Sequence, residues 1–367
     1  MKILIKLAKR IIKILFKGLV GMFIRCIPNP HYFFQLVCEC YEKKSDVFCR
    51  YKLYPKFVDG IPETQIETET KKGELAIVIQ GPIDSRSDFT NETLKLYKIL
   101  FPNAILIVST WSKTPQHQID IIKENGCYVI LNEEFASPGF CNINYQLCTT
   151  MAGLRLAKEK GAEYCMKIRT DMRINRDFCF EYLKSILRLL PISGSSIPLR
   201  ERIITVSGFP GQSFFPNWIQ DFFYFGITDD LINFFDIPYD KRKETSSLPY
   251  FSGPKKVVNG EEFCKIIPPE KYITEEFLKK YGLMGTTVKD FWAIIKDYFV
   301  VIDFSDLNLL WDKYGLYSEH KYEMESVQTE RITDPYRNIT SHISLPIITG
   351  ELCYSPKYER MKVSRKF

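Results

Sequence analysis

Residues 73–345 read as an α/β domain built on a mostly parallel sheet flanked by helices. Three observations carry that reading: short continuous runs of β-branched and apolar residues, helical periodicities between those runs, and glycine or proline at the junctions. A strand covered on both faces has no solvated side, so an apolar run without polar alternation marks a sheet packed above and below.

The first such run is Leu75 to Ile79, closed by Gly81-Pro82, and Ala104 to Val108 and Cys127 to Leu131 repeat it. Helical patterns fill 91–100 and 116–125, the second ending at Asn125-Gly126, a pair suited to the left-handed backbone that terminates a helix. Ile143, Leu147, Met151, Leu154 and Ala157 recur at helical spacing over 143–160, with Asn142 in place to cap the start and Gly161 the end. A fourth run, Tyr164 to Arg169, delivers Thr170-Asp171 at its carboxyl end, the edge where open α/β sheets bind ligands. Beyond residue 190 the alternation weakens. Ile203 to Val206 reads as a strand, Trp218 to Gly226 is aromatic-rich without a clear period, and helices are expected near 229–236, 259–267 and 274–281 before a poorly patterned remainder.

Composition excludes several classes. The 367 residues are 45% apolar and 26% charged with no long Gly/Ser/Pro-rich or acidic tract, the profile of a folded globular chain. The net charge of +6 sits at one end: Lys2, Lys6, Lys9, Arg10, Lys13, Lys17 and Arg25 all precede the first acidic residue, Glu39. Setting those seven of the 50 cations aside leaves 43 against 44 anions, so no nucleic-acid partner is expected. The eleven cysteines are odd in number, scattered and without a CxxC pair, which reads as reduced thiols in a cytoplasmic protein.

On a helical wheel the cations from Lys2 to Lys17 fall within an arc of roughly 100°, and the rest of the circumference is apolar. A helix over 1–27 with that face is expected to lie in the headgroup plane of an anionic membrane, the alternative being a helix that covers the domain's own core. A cation every three or four residues breaks the apolar stretch that a signal peptide or a membrane span requires. Residues 28–72, with Pro28-Asn29-Pro30, a short apolar stretch and a polar run, read as a connector, and 346–367 as a C-terminal tail.

Asp171 is the first candidate for chemistry. A carboxylate at a strand end is placed to hold a divalent cation against a diphosphate, and Lys167, Arg169 and Arg173 alternate around it as direct sources of positive charge. The same aspartate also suits capping the next element or pairing with Arg169 or Arg173. The loop Gln80-Gly81-Pro82 leaves the first strand, where glycine permits close approach of a ligand to the backbone and proline fixes the turn. Asn142 and Asn144 flank the start of the long helix, where an amide serves either a nucleotide or sugar hydroxyl or the helix cap.

In order along the chain, the segments Ala76 to Ile83, Ser109 to Trp111, Pro138-Gly139, Asn142 to Asn144, Lys167 to Asp171 and Phe222 to Gly226 resemble the WavE-type lipopolysaccharide synthesis family. The resemblance implies a GT-A-like glycosyltransferase that moves a sugar from a nucleotide-sugar donor to a lipopolysaccharide core or another cell-surface, lipid-linked or oligosaccharide acceptor. It also implies action in the cytoplasm, which the basic helix over 1–27 would make peripheral to the inner face of the plasma (inner) membrane. Carried onto this chain, Gln80, Gly81 and Pro82 lie beside the donor nucleotide, and Asp171 stands where such enzymes place a metal-binding Asp-x-Asp. Arg169 occupies the position of the first carboxylate of that motif. The expected manganese or magnesium ion is therefore either held by Asp171 with phosphates and waters, or partly replaced by the arginine.

A general base on the acceptor hydroxyl, needed for inversion and not for retention, is expected at Asp221 or Asp230, beside the aromatic stretch. Asp229 and Asp230 equally suit the start of a helix. Two competing classes stay open: a nucleotidyltransferase or Rossmann oxidoreductase, against which the single glycine after the first strand counts, and a non-enzymatic membrane-surface assembly protein.

Overall fold

The computed structural model describes residues 2–27, 29–44, 53–58, 70–85, 88–206, 216–242, 258–259, 267–302, 304–312 and 362–363. The chain divides into two compact units, Met1–Pro55 and Lys56–Phe367.

The first unit holds α1 (Lys2–Cys26) and α2 (Pro30–Glu42). Residues 28–72, read as a connector, thus contain a helix, and its start was legible. Asn29 accepts the backbone N–H groups of His31 (2.9 Å) and Tyr32 (3.3 Å), and Pro30 supplies a φ already suited to the first turn. On α1, Ile11, Ile12, Leu15, Phe16, Leu19, Met22 and Phe23 are exposed, as are Lys13 and Lys17. Among the described residues no helix is long and apolar enough to cross a membrane.

The second unit is the expected α/β body. Its strands and helices run β1 (Leu75–Gln80), α3 (Phe89–Leu100), β2 (Ile105–Trp111), α4 (Gln116–Glu124), β3 (Tyr128–Asn132), α5 (Ile143–Glu159), β4 (Tyr164–Arg169), β5 (Met172–Arg173), α6 (Cys179–Leu189), β6 (Ile203–Val206), β7 (Tyr224–Ile227) and α7 (Thr228–Phe235). After these come β8 (Val258–Asn259), α8 (Pro269–Lys279), α9 (Val288–Tyr298), β9 (Phe299–Ile302), β10 (Leu310–Trp311) and β11 (Lys362–Val363). Seven strands form one sheet in the order β3-β2-β1-β4-β7-β6-β9, parallel throughout except that β7 runs antiparallel to β4 and β6.

Apolar residues on both faces explain the continuous runs. Val78, Ile107 and Cys165 pack with Leu147 and Leu154 of α5 and with Phe234, Phe277 and Phe291, while Ile77, Val108 and Met166 pack with Leu94, Ile122 and Leu183 on the other side. Contact between α5 and β1 is close enough that a Cβ on Gly153 would lie 2.3 Å from Val78 Cγ1.

Four readings change. The aromatic stretch 218–226 ends in the antiparallel strand β7, and a strand already lined by partners on both edges needs no period of its own. Of the helix expected over 259–267, Asn259 belongs to β8, paired with β11, and 260–266 lie outside the described residues. The helix expected at 274–281 begins earlier, at Pro269, by the same proline rule that starts α2. In the remainder taken as poorly patterned, α9 carries a complete capping box, Thr287 with Asp290, and leads straight into the buried β9.

Candidate active site

The strand order places β2 and β3 on one side of β1 and β4 on the other, so the direction of winding reverses between β1 and β4. The crevice beyond their carboxyl ends is where such sheets take ligands. Gln80 and Arg169 are register partners at that edge.

The loop after β1 is tightly held. The Gly81 N–H donates to Ser109 O (3.0 Å), the Thr170 N–H to Gln80 O (3.1 Å), and the Thr170 hydroxyl to Pro82 O (2.6 Å). Gly81 has φ +119°, and a Cβ there would sit 3.1 Å from Thr170 Oγ1, so glycine is required for the two loops to meet. The buried Gln80 side chain accepts from the Thr149 hydroxyl of α5 at 2.8 Å.

Asp171 follows β4 and is buried. Arg169 grips it with two N–H groups, Nε to Oδ1 at 2.9 Å and Nη2 to Oδ2 at 3.0 Å, and Trp311 Nε1 donates to Oδ2 at 3.2 Å. The guanidinium also lies 5.6 Å from the Trp311 ring centre. Both carboxylate oxygens thus face a cation, which stands where a metal ion would. Among the described residues no group of three or more His, Cys, Asp or Glu is arranged to hold a metal. This donor set does not fit a resident divalent ion, which would have to displace the arginine fork before Asp171 offered it an oxygen.

Two residues back along β4, Lys167 is fully buried. Its Nζ donates to the main-chain oxygen of Asp221 at 2.5 Å and lies 5.7 Å from the ring centre of Tyr224, its register partner on β7. Burial lowers the ammonium to about 8, opposed by the Asp221 carboxylate. Lys167 therefore still carries its charge at neutral pH, in a place where water screens it poorly. Asp221 is only 4% exposed, and its Oδ1 has no hydrogen-bond partner among the described residues. The Tyr224 hydroxyl, equally buried, has none either.

Sequence reasoning missed Glu270. It is the second residue of α8, where an acid after Pro269 reads as an ordinary helix start. Burial, then repulsion from Asp221, push its carboxyl up to about 8, while Arg169 and Lys167 oppose. Its link to the site, electrostatic coupling to Asp221, Arg169 and Lys167, became visible only in the folded chain.

Other candidates are placed elsewhere or are occupied. Asp230 belongs to α7, which begins directly after Ile227, the register partner of Tyr164 at the amino end of β4. It lies at the opposite edge of the sheet from Asp171, and its Oδ2 accepts the N–H groups of Arg200 (2.9 Å) and Glu201 (3.0 Å). Asn144 is buried with its amide in use: Nδ2 donates to Ser137 O and Asp240 O, both 2.9 Å, and Oδ1 accepts from the Asp240 N–H at 2.7 Å. Asn142 stands at the N-cap position of α5 in left-handed backbone, yet its side chain makes no cap hydrogen bond, because that φ of 64° turns it away from the first turn. Arg173 reaches into α3, donating from Nε to Thr93 Oγ1 at 2.9 Å. The edge therefore gathers Gln80, Gly81, Pro82, Lys167, Arg169, Asp171, Asp221 and Glu270, and leaves Asp230 outside.

Among solved structures, the chain is similar to a cytidylyltransferase from Leptospira borgpetersenii serovar Hardjo-bovis strain JB197, at 15% identity and TM-score 0.30 over 61% of this chain and 85% of that one. It is also similar to S. aureus TarS, at 13% identity and TM-score 0.33 over 61% and 63%. Likeness of this degree says nothing of substrate or reaction. No curated protein sequence matches the chain significantly. The family model for WavE lipopolysaccharide synthesis matches residues 75–304, a span that takes in all seven strands of the central sheet and the edge just described. On that match the chain belongs to the WavE lipopolysaccharide synthesis family.

Proposed function

We propose that this protein is a nucleotide-sugar-dependent glycosyltransferase acting on a lipopolysaccharide core or related cell-surface polysaccharide. The observation that carries this reading is the pair of basic side chains, Lys167 and Arg169, set at the switch-point crevice beside a carboxylate with an unpartnered oxygen. In the reaction, the bond between the anomeric carbon and the diphosphate breaks and its electron pair leaves with the nucleoside diphosphate. An acceptor hydroxyl oxygen forms the new bond and gives up its proton. Lys167, charged at neutral pH, and Arg169 stabilise the departing diphosphate. Asp221 is the group to take the acceptor proton, since its buried Oδ1 has no hydrogen-bond partner among the described residues. Gln80, Gly81 and Pro82 shape the wall beside the nucleotide.

Attachment to the cytoplasmic face of the membrane through residues 1–27 belongs to the same proposal, supported by the cationic arc and the exposed apolar side chains of α1. Deleting 1–27 should release the protein from the membrane fraction, and retention there would refute this part.

The test is a thermal-shift panel against UDP-, GDP-, CMP- and dTDP-sugars, with and without manganese or magnesium, repeated on Asp171→Ala. One donor class should raise the melting temperature, and Asp171→Ala, by freeing Arg169 from its anchor, should abolish the rise. Silence across the panel from folded protein would favour a non-enzymatic assembly role.

A further inference from the structure

The two edges of the central sheet differ. At one edge every residue of β9 is buried, whereas at the other β3 is open: Tyr128 and Leu131 are each 45% exposed, and Val129 and Ile130 are half-buried. An edge strand normally guards its unpaired backbone with a charge, a proline or a bulge. Cys127 to Asn132 has neither charge nor proline, and its ladder with β2 runs unbroken from Tyr128 to Asn132.

The register fixes which backbone groups are free. The Asn132 carbonyl accepts the Ser112 N–H at 2.9 Å, so it faces β2. Successive residues of a strand turn their N–H and C=O groups to opposite sides, so those of Tyr128, Ile130 and Asn132 serve β2 while those of Val129 and Leu131 face outward. Among the described residues no strand pairs with them. Charge is graded along the same strand. The Lys160 ammonium lies 4.6 Å from the Tyr128 ring centre at the amino end, and Glu133 and Glu134 follow the carboxyl end, the second of them paired with Lys113.

We propose that β3 is the interface with a second copy of this chain, the two strands pairing antiparallel about Ile130 to join both central sheets into one. In this register Val129 and the second copy's Leu131 exchange N–H···O bonds, so the outward groups of each copy become paired. A slip of one residue would set free groups against groups already bonded to β2. Ile130 meets its own counterpart and Val129 meets Leu131, which continues the apolar side chains across the join on both faces. Antiparallel pairing also brings each copy's Glu133 and Glu134 towards the other's Lys160, so the charges at the two ends are complementary.

The experiment joins sedimentation velocity of the full chain, in mild detergent to cover the apolar side chains of α1, with cysteine crosslinking. Wild type should sediment as a dimer. Leu131→Lys, at a position already exposed, should stay folded and dimerise at least about tenfold more weakly, because a lysine blunts an open edge. Ile130→Cys should crosslink under copper phenanthroline, since residues opposed at a position without ladder hydrogen bonds lie about 4.5 Å apart at Cα, within reach of a disulfide. Leu131→Cys, more exposed but opposed to Val129, should not exceed the wild-type background set by the exposed Cys26, Cys40 and Cys141. A monomeric wild type, a Leu131→Lys dimer of unchanged strength, or crosslinking as strong at 131 as at 130 would overturn the pairing.

Discussion

Asp221 and Asp230 lie nine positions apart, flank the same strand and are both buried, at 4% and 3% exposure, yet they end at opposite edges of the sheet in opposite circumstances. At the amino edge, Asp230 gathers two backbone N–H groups and pins the segment at Arg200 and Glu201. At the carboxyl edge, Asp221 receives Lys167 on its main-chain oxygen and leaves a carboxylate oxygen without a hydrogen-bond partner among the described residues. Burial alone therefore does not mark a working residue. A satisfied carboxylate holds the fold together, whereas an unsatisfied one is kept at a cost that folding does not explain.

That contrast breaks most readily at Asp221. Asp221→Asn should lower turnover on the donor selected by the panel by at least about 100-fold, while unfolding free energy changes by no more than about 1 kcal/mol. A large stability loss at normal turnover would reverse the assignment. Asp230→Ala should behave in the opposite sense, losing about 2–3 kcal/mol in denaturant melts as two N–H groups lose a charged acceptor, with donor affinity intact in the folded fraction.

Glu270 sharpens the comparison through pH. A carboxyl raised to about 8 in the folded state binds a proton more tightly there than in the unfolded chain, so its stabilisation is complete below about pH 4.5 and is lost as pH rises towards 8. Glu270→Gln should flatten that part of the stability profile, and by pH 8 should close or reverse any deficit against wild type by on the order of 2 kcal/mol. Of the cations facing it, Lys167, lowered to about 8, adds a slope of the opposite sign only above that pH, so the comparison belongs between pH 5 and 8. Parallel profiles for the two proteins would remove Glu270 from the cluster. The smallest effect is expected at Gly81→Ala, where left-handed backbone and a 3.1 Å approach to Thr170 should cost about 1–2 kcal/mol in melts and loosen nucleotide binding in proportion.

The half of the domain from β1 to β4 was legible because β1, β2 and β4 are buried apolar runs, the edge strand β3 is an apolar run with Tyr128 and Leu131 exposed, and α4 and α5 end at Gly126 and Gly161 in left-handed backbone. The half from β7 to β9 was less so. β7 is set by strands on either side of it, and α9 announced itself in a capping box rather than in the hydrophobic pattern. At the site, the Gln80 loop and Asp171 stood out because they follow strand ends, a position that the chain order alone reveals. Which side chain meets which did not follow from position: Asn144 proved to tie the backbone at Ser137 and Asp240, 96 residues apart in the second case.

By itself, then, the amino-acid order determined the alternating sheet, the strand-end edge that carries Asp171, the cationic helix at the start and the arginine standing beside Asp171, since all of these depend on short-range periodicity and local composition. Only the tertiary structure decided that Asp221 meets Lys167, with Glu270 within electrostatic reach of both, while Asp230 lies at the far edge. The reason is physical. The direction of a single antiparallel strand, β7, carries Asp221 to one end of the sheet and Asp230 to the other, and that direction is chosen by pairing with β4 and β6 rather than by any residue within β7.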